Sequence, residues 1–278
     1  MFVNTAIHQW AVREPSRPAI ALGDAVVMDY GSFSHRIRSL AGGMAAVGVQ
    51  ESQRVGLVME NIPEYFEVLC ACWELGAVPV PVNAKLHPRE SAFILDNAQA
   101  RWCFVSPGKS VERDSQAPEI IETGSREYQK LMAGPEHHGQ SEDVNSLAWL
   151  FYTSGTTGVP KGAMISERNL AHMCFCYRHD VDTRPPWTSI LHPAPLSHGS
   201  GLYALAHFIE GSCQVLPESR GFDPDELFAL SECWPQSVFF AAPTMVRRLT
   251  ACPGDSDLAD LKAVIYGGAT MLVADTRA

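Results

Sequence analysis

The sequence has few cations, no long apolar run and no metal-binding spacing of cysteines and histidines. Its 278 residues carry 21 Lys and Arg against 31 Asp and Glu, which gives a formal net charge of −10. A surface for nucleic acid or for an anionic membrane requires clustered cations, so the composition argues against both functions. An anionic small molecule would have to be held by local features rather than by the overall field.

Eight cysteines and ten histidines are present, but no C-x-x-C occurs and no cluster has zinc-ligand spacing. We therefore expect no structural metal. The pairs Cys70/Cys72 and Cys174/Cys176 lie in apolar, helix-like stretches and are interpreted as free core thiols of a reduced, cytoplasmic protein. No basic start precedes an apolar stretch, as it would in a signal peptide. No apolar run approaches the roughly 18 residues of a transmembrane helix.

Helix-like and strand-like segments alternate along most of the chain. Apolar residues at 33, 37, 40, 44 and 47 share one face of a predicted helix, with Ser32 as candidate cap and Gly48 as its stop. Pro63 begins a second predicted helix that Gly76 closes, and further helices are predicted at 89–97 and 224–233. The strand-like runs are Arg54–Met59, Ala77–Val82, Trp102–Val105, Leu147–Tyr152, Ala163–Ile165, Ser189–His192, Gln214–Leu216, Ser237–Ala241 and Ala263–Tyr266.

This alternation predicts an α/β fold with mostly parallel sheets flanked by helices. Between residues 106 and 146 the composition shifts to charged and small polar residues with three prolines. We interpret that stretch as surface loops around a few short elements and not as a separate domain.

The most informative segment is Leu150–Gly162, with the sequence LFYTSGTTGVPKG. Glycines allow backbone N–H groups to turn toward an anion without Cβ clashes. Four Ser and Thr side chains add hydrogen-bond donors, and Lys161 adds a positive charge. Such a loop after a strand is typical of a polyphosphate site.

Two other interpretations of this segment are open from the residues alone. A P-loop ATPase or kinase requires G-x-x-x-x-G-K-[ST] at the start of a helix. Here Pro160 removes a donor before Lys161, and Gly162 follows. A flexible Gly/Ser/Thr linker is the second alternative, but an aromatic-rich strand precedes the segment and Pro-Lys-Gly ends it.

The longer run YTSGTTGVPKGAMISERNL resembles the phosphate-loop signature of the adenylate-forming superfamily. That superfamily contains acyl-CoA synthetases, luciferases and the adenylation domains of peptide synthetases. Three further stretches are similar to family segments in the expected order, and the resemblance covers essentially the whole chain. They are GAVPVPVNAKLHPRE at 76–90, APLSHGSG at 194–201 and IYGGATM at 265–271.

The resemblance implies the N-terminal domain of such an enzyme, built from two α/β subdomains and a small barrel. Residues 53–185 would form the subdomain with the phosphate loop, and residues 1–50 would join 190–278 in the second. The family's later Tyr-Gly-x-Thr-Glu and Thr-Gly-Asp segments and its C-terminal domain are not found in this sequence. We therefore expect a truncated domain with little ligase activity by itself.

The resemblance also implies which residues form the site. Lys161 and Thr153 would act in catalysis. The β- and γ-phosphates of ATP would be held by Thr153, Ser154, Gly155, Thr156, Thr157, Gly158 and Lys161. Gly267, Gly268 and Ala269 would line the adenine and acyl sites, and the acid would contact His198, Gly199 and Gly267. No protein ligand for a metal is predicted.

The implied reaction has two steps. A carboxylate attacks the α-phosphorus of ATP in the presence of Mg²⁺ to give acyl-adenylate and pyrophosphate, and the CoA thiol then displaces AMP. Amino-acid-activating members place an Asp in the substrate motif, whereas the stretch 195–201 contains no carboxylate. The sequence thus predicts a CoA ligase for a fatty or aromatic acid. A non-catalytic nucleotide- or acid-binding homologue and an adenylation domain for another acid are the alternatives, and the sequence does not indicate an oligomeric state.

Overall fold

The structure, a computed structural model, describes residues 1–112, 118–139, 143–153, 159–183, 188–252 and 260–272. Within these ranges the helices are α1 (Phe2–Arg13), α2 (Tyr30–Ala46), α3 (Pro63–Glu74), α4 (Pro88–Asn97), α5 (Arg126–Met132), α6 (Glu167–Cys176), α7 (Gly199–Ile209), α8 (Pro224–Cys233) and α9 (Pro243–Thr250). The strands are β1 (Pro18–Leu22), β2 (Ala25–Asp29), β3 (Arg54–Met59), β4 (Val78–Asn83), β5 (Trp102–Val105), β6 (Glu119–Glu122), β7 (Leu147–Thr153), β8 (Lys161–Ser166), β9 (Ser189–Leu191), β10 (Cys213–Leu216), β11 (Val238–Ala241) and β12 (Ala263–Tyr266). A π-helical turn, Tyr177–Val181, extends α6.

Two largely parallel sheets carry the fold. The larger has six strands in the order β12-β11-β9-β10-β1-β2, and all neighbours are parallel except β1 and β2. The smaller is fully parallel, with the order β4-β3-β5-β6. Strands β7 and β8 form a separate antiparallel hairpin. The predicted α/β class with mostly parallel sheets is confirmed.

The ends predicted for α3, α4 and α8 agree closely with the structure, and no ends were predicted for α1, α5, α6, α7 and α9. The start of α2 needs a correction. Asp29, not Ser32, caps this helix, because the Asp29 carboxylate accepts the Ser32 N–H at 2.7 Å. Val47 follows the helix and is 47% exposed, so it does not belong to the buried face. Gly48 stops the helix as predicted, with φ at +103°.

The stretch 106–146 contains more ordered structure than its composition indicates. Strand β6 forms the edge of the smaller sheet beside β5. Helix α5 follows, and its Tyr128 and Leu131 are buried. These elements are short, as predicted, but they belong to the core and are not only surface loops.

Strands from the beginning and from the second half of the chain share the larger sheet, since β1 pairs with β10. The smaller sheet uses residues 54–122 only. One cluster of buried apolar side chains extends across helices α1, α2, α3 and α7. The predicted division into 53–185 and 1–50 with 190–278 stays a prediction.

Candidate active site

The carboxyl ends of the two parallel sheets meet at one buried side chain. Asn61 follows β3, and its amide nitrogen donates to the carbonyl oxygens of His192 at 2.8 Å and Ala194 at 2.9 Å. Its amide oxygen accepts the Leu196 N–H at 3.1 Å. The chain after β9 is therefore fixed against the end of β3. Parallel α/β sheets bind their ligands at this edge.

His192, directly after β9, holds the beginning of α7 in place. Its Nδ1 lies 2.8 Å from Ser200 Oγ, and its Nε2 lies 3.0 Å from Gln214 Oε1. Since an amide oxygen only accepts, the ring carries its proton on Nε2 and accepts from Ser200 through Nδ1. Burial lowers the pKa of His192 to about 4, so the ring is neutral at pH 7. The hydrogen bond to Ser200 thus fixes the C-terminal part of the predicted substrate motif, residues 194–201.

The hairpin β7–β8 brings the two ends of the glycine-rich segment together. Thr153 and Lys161 are directly opposite each other in the strand pair, and both are exposed. The predicted phosphate-binding residues Ser154, Gly155, Thr156, Thr157 and Gly158 lie outside the described residues. The extended run after Lys161 is confirmed as β8, which distinguishes this segment from a loop that opens a helix.

A cavity of about 400 Å³ joins the end of this hairpin to the substrate segment. Thr153 and Pro160 line it from the hairpin, and His198 lines it from the start of α7. The remaining walls come from the end of β4 and from α4. The apolar part of the lining consists of Pro81, Val82, Leu86, Phe93, Ile94 and Tyr152. This volume is within the range of small-molecule sites.

His198 is half-buried at the entrance to α7. Its Nδ1 lies 2.8 Å from Ser197 Oγ, and its ring stands edge-on to Phe151 with centroids 5.7 Å apart. Burial lowers the pKa of His198, so the imidazole is neutral at pH 7. A neutral ring beside an aromatic face suits an apolar ligand with one polar end.

Gly267, Gly268 and Ala269 follow edge strand β12. The Gly267 N–H donates to the Ala241 carbonyl at 3.2 Å. The Phe240 ring lies 3.3 Å from the position that a Cβ would take at Gly267 and 2.8 Å from that position at Gly199. One aromatic ring therefore contacts both predicted substrate segments.

Phe240 was not predicted from the sequence. Its partner Tyr203, with ring centroids 5.4 Å apart, is one of the apolar and aromatic residues directly after the substrate motif that favour an apolar pocket. Both are partly exposed. Phe240 lies in a strand-like run whose apolar residues are interpreted as core. The only available signal was its position near the carboxyl end of a predicted parallel strand.

Among the residues that the structure describes, no group of three His, Cys, Asp or Glu side chains could hold a metal ion. No helix in the described ranges is long and apolar enough to cross a membrane.

The architecture is shared with solved structures. It matches the N-terminal domain of FACL13 from Mycobacterium tuberculosis with a TM-score of 0.85 and 22% identity, over 99% of this chain and 72% of that one. It also matches o-succinylbenzoate-CoA synthetase (MenE) from Bacillus subtilis in complex with ATP and magnesium, with a TM-score of 0.76 and 21% identity, over 94% of this chain and 68% of that one. At these identities the two matches show the fold alone.

A family model described as AMP-binding enzyme matches residues 7–277. The chain belongs to this family. Feruloyl-CoA synthase from Amycolatopsis sp is 30% identical over 280 residues, which cover 96% of this chain and 55% of that protein. The chain thus spans about half the length of the curated relatives that it matches.

Proposed function

We propose that the protein activates an apolar carboxylic acid with ATP and transfers the acyl group to CoA. Membership of the AMP-binding enzyme family supports the activation chemistry. The observation that carries the proposal is the 400 Å³ cavity, where the hairpin end at Thr153 and the neutral His198 face the same space. The phosphates and the acid would have to lie within reach of each other for an acyl-adenylate to form.

Thr153, Lys161 and the segment between them would hold the β- and γ-phosphates of ATP. The strand pairing places Thr153 and Lys161, the two residues that flank this segment, directly opposite each other. Lys161 would add a charge-assisted contact to a phosphate oxygen. Donors positioned before the reaction stabilise the negative charge that develops during transfer.

The acid would lie beside His198, with its apolar part toward Phe240 and Tyr203. No Asp or Glu occurs between Ser189 and Ile209, so this stretch offers no anion to an α-ammonium group. Glu90 lines the cavity, but its carboxylate accepts the His87 N–H at 2.9 Å as part of the α4 cap. A fatty or aromatic acid fits these surroundings better than an amino acid.

Mg²⁺ is expected with ATP from the resemblance to the family, and the MenE structure contains both. The described residues contain no group of three or more His, Cys, Asp or Glu side chains that could hold the ion. Gly267, Gly268 and Ala269 are proposed to border the adenine and the acyl group, and CoA is proposed as the acceptor.

Pyrophosphate exchange with the longest natural form of the protein tests this function. We expect exchange with fatty or aromatic acids, and Lys161→Ala should slow it about 10- to 150-fold, the equivalent of a lost charge-assisted contact. Lys130→Ala, which removes an exposed cation on α5, is the matched control. Exchange with amino acids alone would refute the acid class, and an unchanged rate for Lys161→Ala would refute the phosphate assignment.

A further inference from the structure

A second cavity, of about 730 Å³, lies at the amino ends of the parallel strands β1, β9 and β10, and the first residue of each strand lines it. We call it the amino-end cavity. The candidate active site lies at the opposite, carboxyl ends of the strands, and the two cavities share no lining residue among those that the structure describes. The lining side chains that matter here are Arg13, Arg17, Ser189, Cys213, Trp234 and Pro235.

Ser189, the first residue of β9, brings a buried hydroxyl group to this cavity. The residue is 1% exposed, and its Oγ has no hydrogen-bond partner among the described residues. Side chains two residues apart in a strand point to the same face of the sheet. Leu191 belongs to one buried cluster with Leu230 of α8, so Ser189 also faces α8. The chain after that helix lines the cavity with Trp234 and Pro235.

A buried hydroxyl without a partner is costly, because it has given up its hydrogen bonds to water and gained none in the protein. Cys213 lies directly beside Ser189 in the strand pair and also lines the cavity. Burial raises the pKa of the Cys213 thiol to about 12, so this group stays protonated. The O–H and the S–H can both donate to an oxygen atom of a ligand.

Positive charge predominates among the side chains that line the cavity, although the whole chain has a net charge of −10. The guanidinium groups of Arg13 and Arg17 lie over the Trp10 ring, 4.9 and 4.6 Å from its centroid. Glu14 is the one carboxylate among the described lining residues, and it pairs with Arg17 at 3.0 Å. Arg13 has no carboxylate within ion-pair distance in the described part of the chain. An anionic ligand would balance its charge.

An aromatic ring and prolines form the apolar part of the lining. Trp234 Nε1 donates to the Gly23 carbonyl at 3.0 Å, which fixes the orientation of the indole ring. Pro15, Pro18 and Pro235 also line the cavity. Apolar walls with a few polar groups at defined positions are typical of sites for small organic molecules.

We propose that the amino-end cavity binds a small organic carboxylate with an apolar body, at a site separate from the candidate active site. Ser189 would donate to a carboxylate oxygen, Arg13 would balance the negative charge, and the apolar body would pack on Trp234. The inference does not depend on the proposed function, because none of these residues belongs to the cavity with Thr153 and His198.

Calorimetric titration of the 278-residue chain with benzoate, benzamide and inorganic phosphate tests the proposal. Benzoate should bind. Benzamide has the same ring without the charge, and phosphate has charge without an apolar body, so each should bind at least tenfold more weakly. Ser189→Ala should weaken benzoate binding about tenfold or more, because it removes a hydrogen bond to a charged acceptor. Arg13→Ala should weaken it about threefold or more, since Arg13 is exposed to solvent.

The melting temperature of the unliganded protein separates a binding role of Ser189 from a structural one. Ser189→Ala should leave it unchanged or raise it, because the hydroxyl has no partner to lose. Ser237→Ala is the matched control. Ser237 Oγ is equally buried and also without a partner among the described residues, but Ser237 does not line the cavity. Ser237→Ala and Arg126→Ala, which removes an exposed cation from α5, should both bind benzoate normally.

The proposal fails if benzoate does not bind, or if benzamide or phosphate binds as tightly as benzoate. It also fails if Ser189→Ala and Arg13→Ala bind benzoate as the unmodified chain does, because benzoate would then occupy another site, such as the proposed acid site beside His198. A melting temperature clearly lower for Ser189→Ala than for Ser237→Ala would show that the Ser189 hydroxyl stabilises the fold, and this too would overturn the proposal.

Discussion

At the scale of single residues, the buried carboxylate of Glu67 shows how the core carries a charge. Glu67 is 1% exposed. Arg36 binds both of its oxygens, at 2.6 and 3.0 Å, and the Tyr128 hydroxyl donates to one of them at 2.6 Å. A buried charge is tolerated only when it is paired and hydrogen-bonded. The three residues connect α2, α3 and α5.

Tyr128→Phe should destabilise the protein by about 1.5–3 kcal/mol, because it removes a hydrogen bond to a buried charged acceptor. Urea denaturation measures the change. Tyr266→Phe is the control, since Tyr266 is 49% exposed. An equal, small effect of both substitutions would show that Tyr128 contributes only its ring.

Individual site residues were predictable only where a local pattern identifies them. Thr153, Lys161 and His198 lie in segments whose composition or resemblance pointed to them, and the structure brings Thr153 and His198 to one cavity. Phe240 reaches the same region because β11 pairs with β9. That pairing joins residues far apart in sequence, and no local sequence pattern predicts it.

At the scale of elements, periodicity and caps located α3 and α8 correctly. Pro63 begins α3, and Asp223 caps α8 by accepting the Glu226 N–H at 3.0 Å. Strand β2 was not predicted, because its residues are mostly exposed and do not alternate between buried and exposed positions. The strand order was not predictable, because the buried strands are all short apolar runs. Such runs do not indicate which strands lie next to each other in a parallel sheet.

The first turn of α7 depends on a glycine. A Cβ at Gly201 would overlap the Leu196 carbonyl oxygen. Leu196 cannot move away, because its N–H donates to Asn61 at 3.1 Å and its carbonyl accepts from Tyr65 at 3.0 Å. The sequence resemblance included this glycine, but the structure gives the physical reason for it.

Gly201→Ala should therefore destabilise the protein by about 1–3 kcal/mol or more, as overpacking does in a tight core. Denaturant unfolding measures the loss. Gly221→Ala is the matched control, since the nearest atom to its added Cβ would be Lys85 Nζ at 3.8 Å, and it should change stability by less than about 0.5 kcal/mol. Equal stability of the two variants would mean that α7 adjusts to the added methyl group.

At the scale of the whole molecule, two neutral histidines in the larger sheet and its helices make stability depend on pH. Burial lowers the pKa of His192 to about 4 and of His207 to about 3. The His207 ring lies 3.0 Å from the Tyr177 hydroxyl and 3.2 Å from Ser212 Oγ. The same rings in an unfolded chain would titrate near 6.5. Below that pH the unfolded chain binds more protons than the native state.

The free energy of unfolding should consequently fall as the pH decreases from about 6.5 toward 4, with each histidine contributing up to about 1.4 kcal/mol per pH unit. Between pH 5 and 6.5 most carboxylates stay ionised in both states, and Glu64, whose pKa burial raises, is common to every variant. The slope in this interval is proportional to the number of protons taken up on unfolding. His207→Gln should reduce that number by up to about one. Urea denaturation at several pH values measures the slopes, and a wild-type slope in His207→Gln would show that His207 does not remain neutral in the native protein.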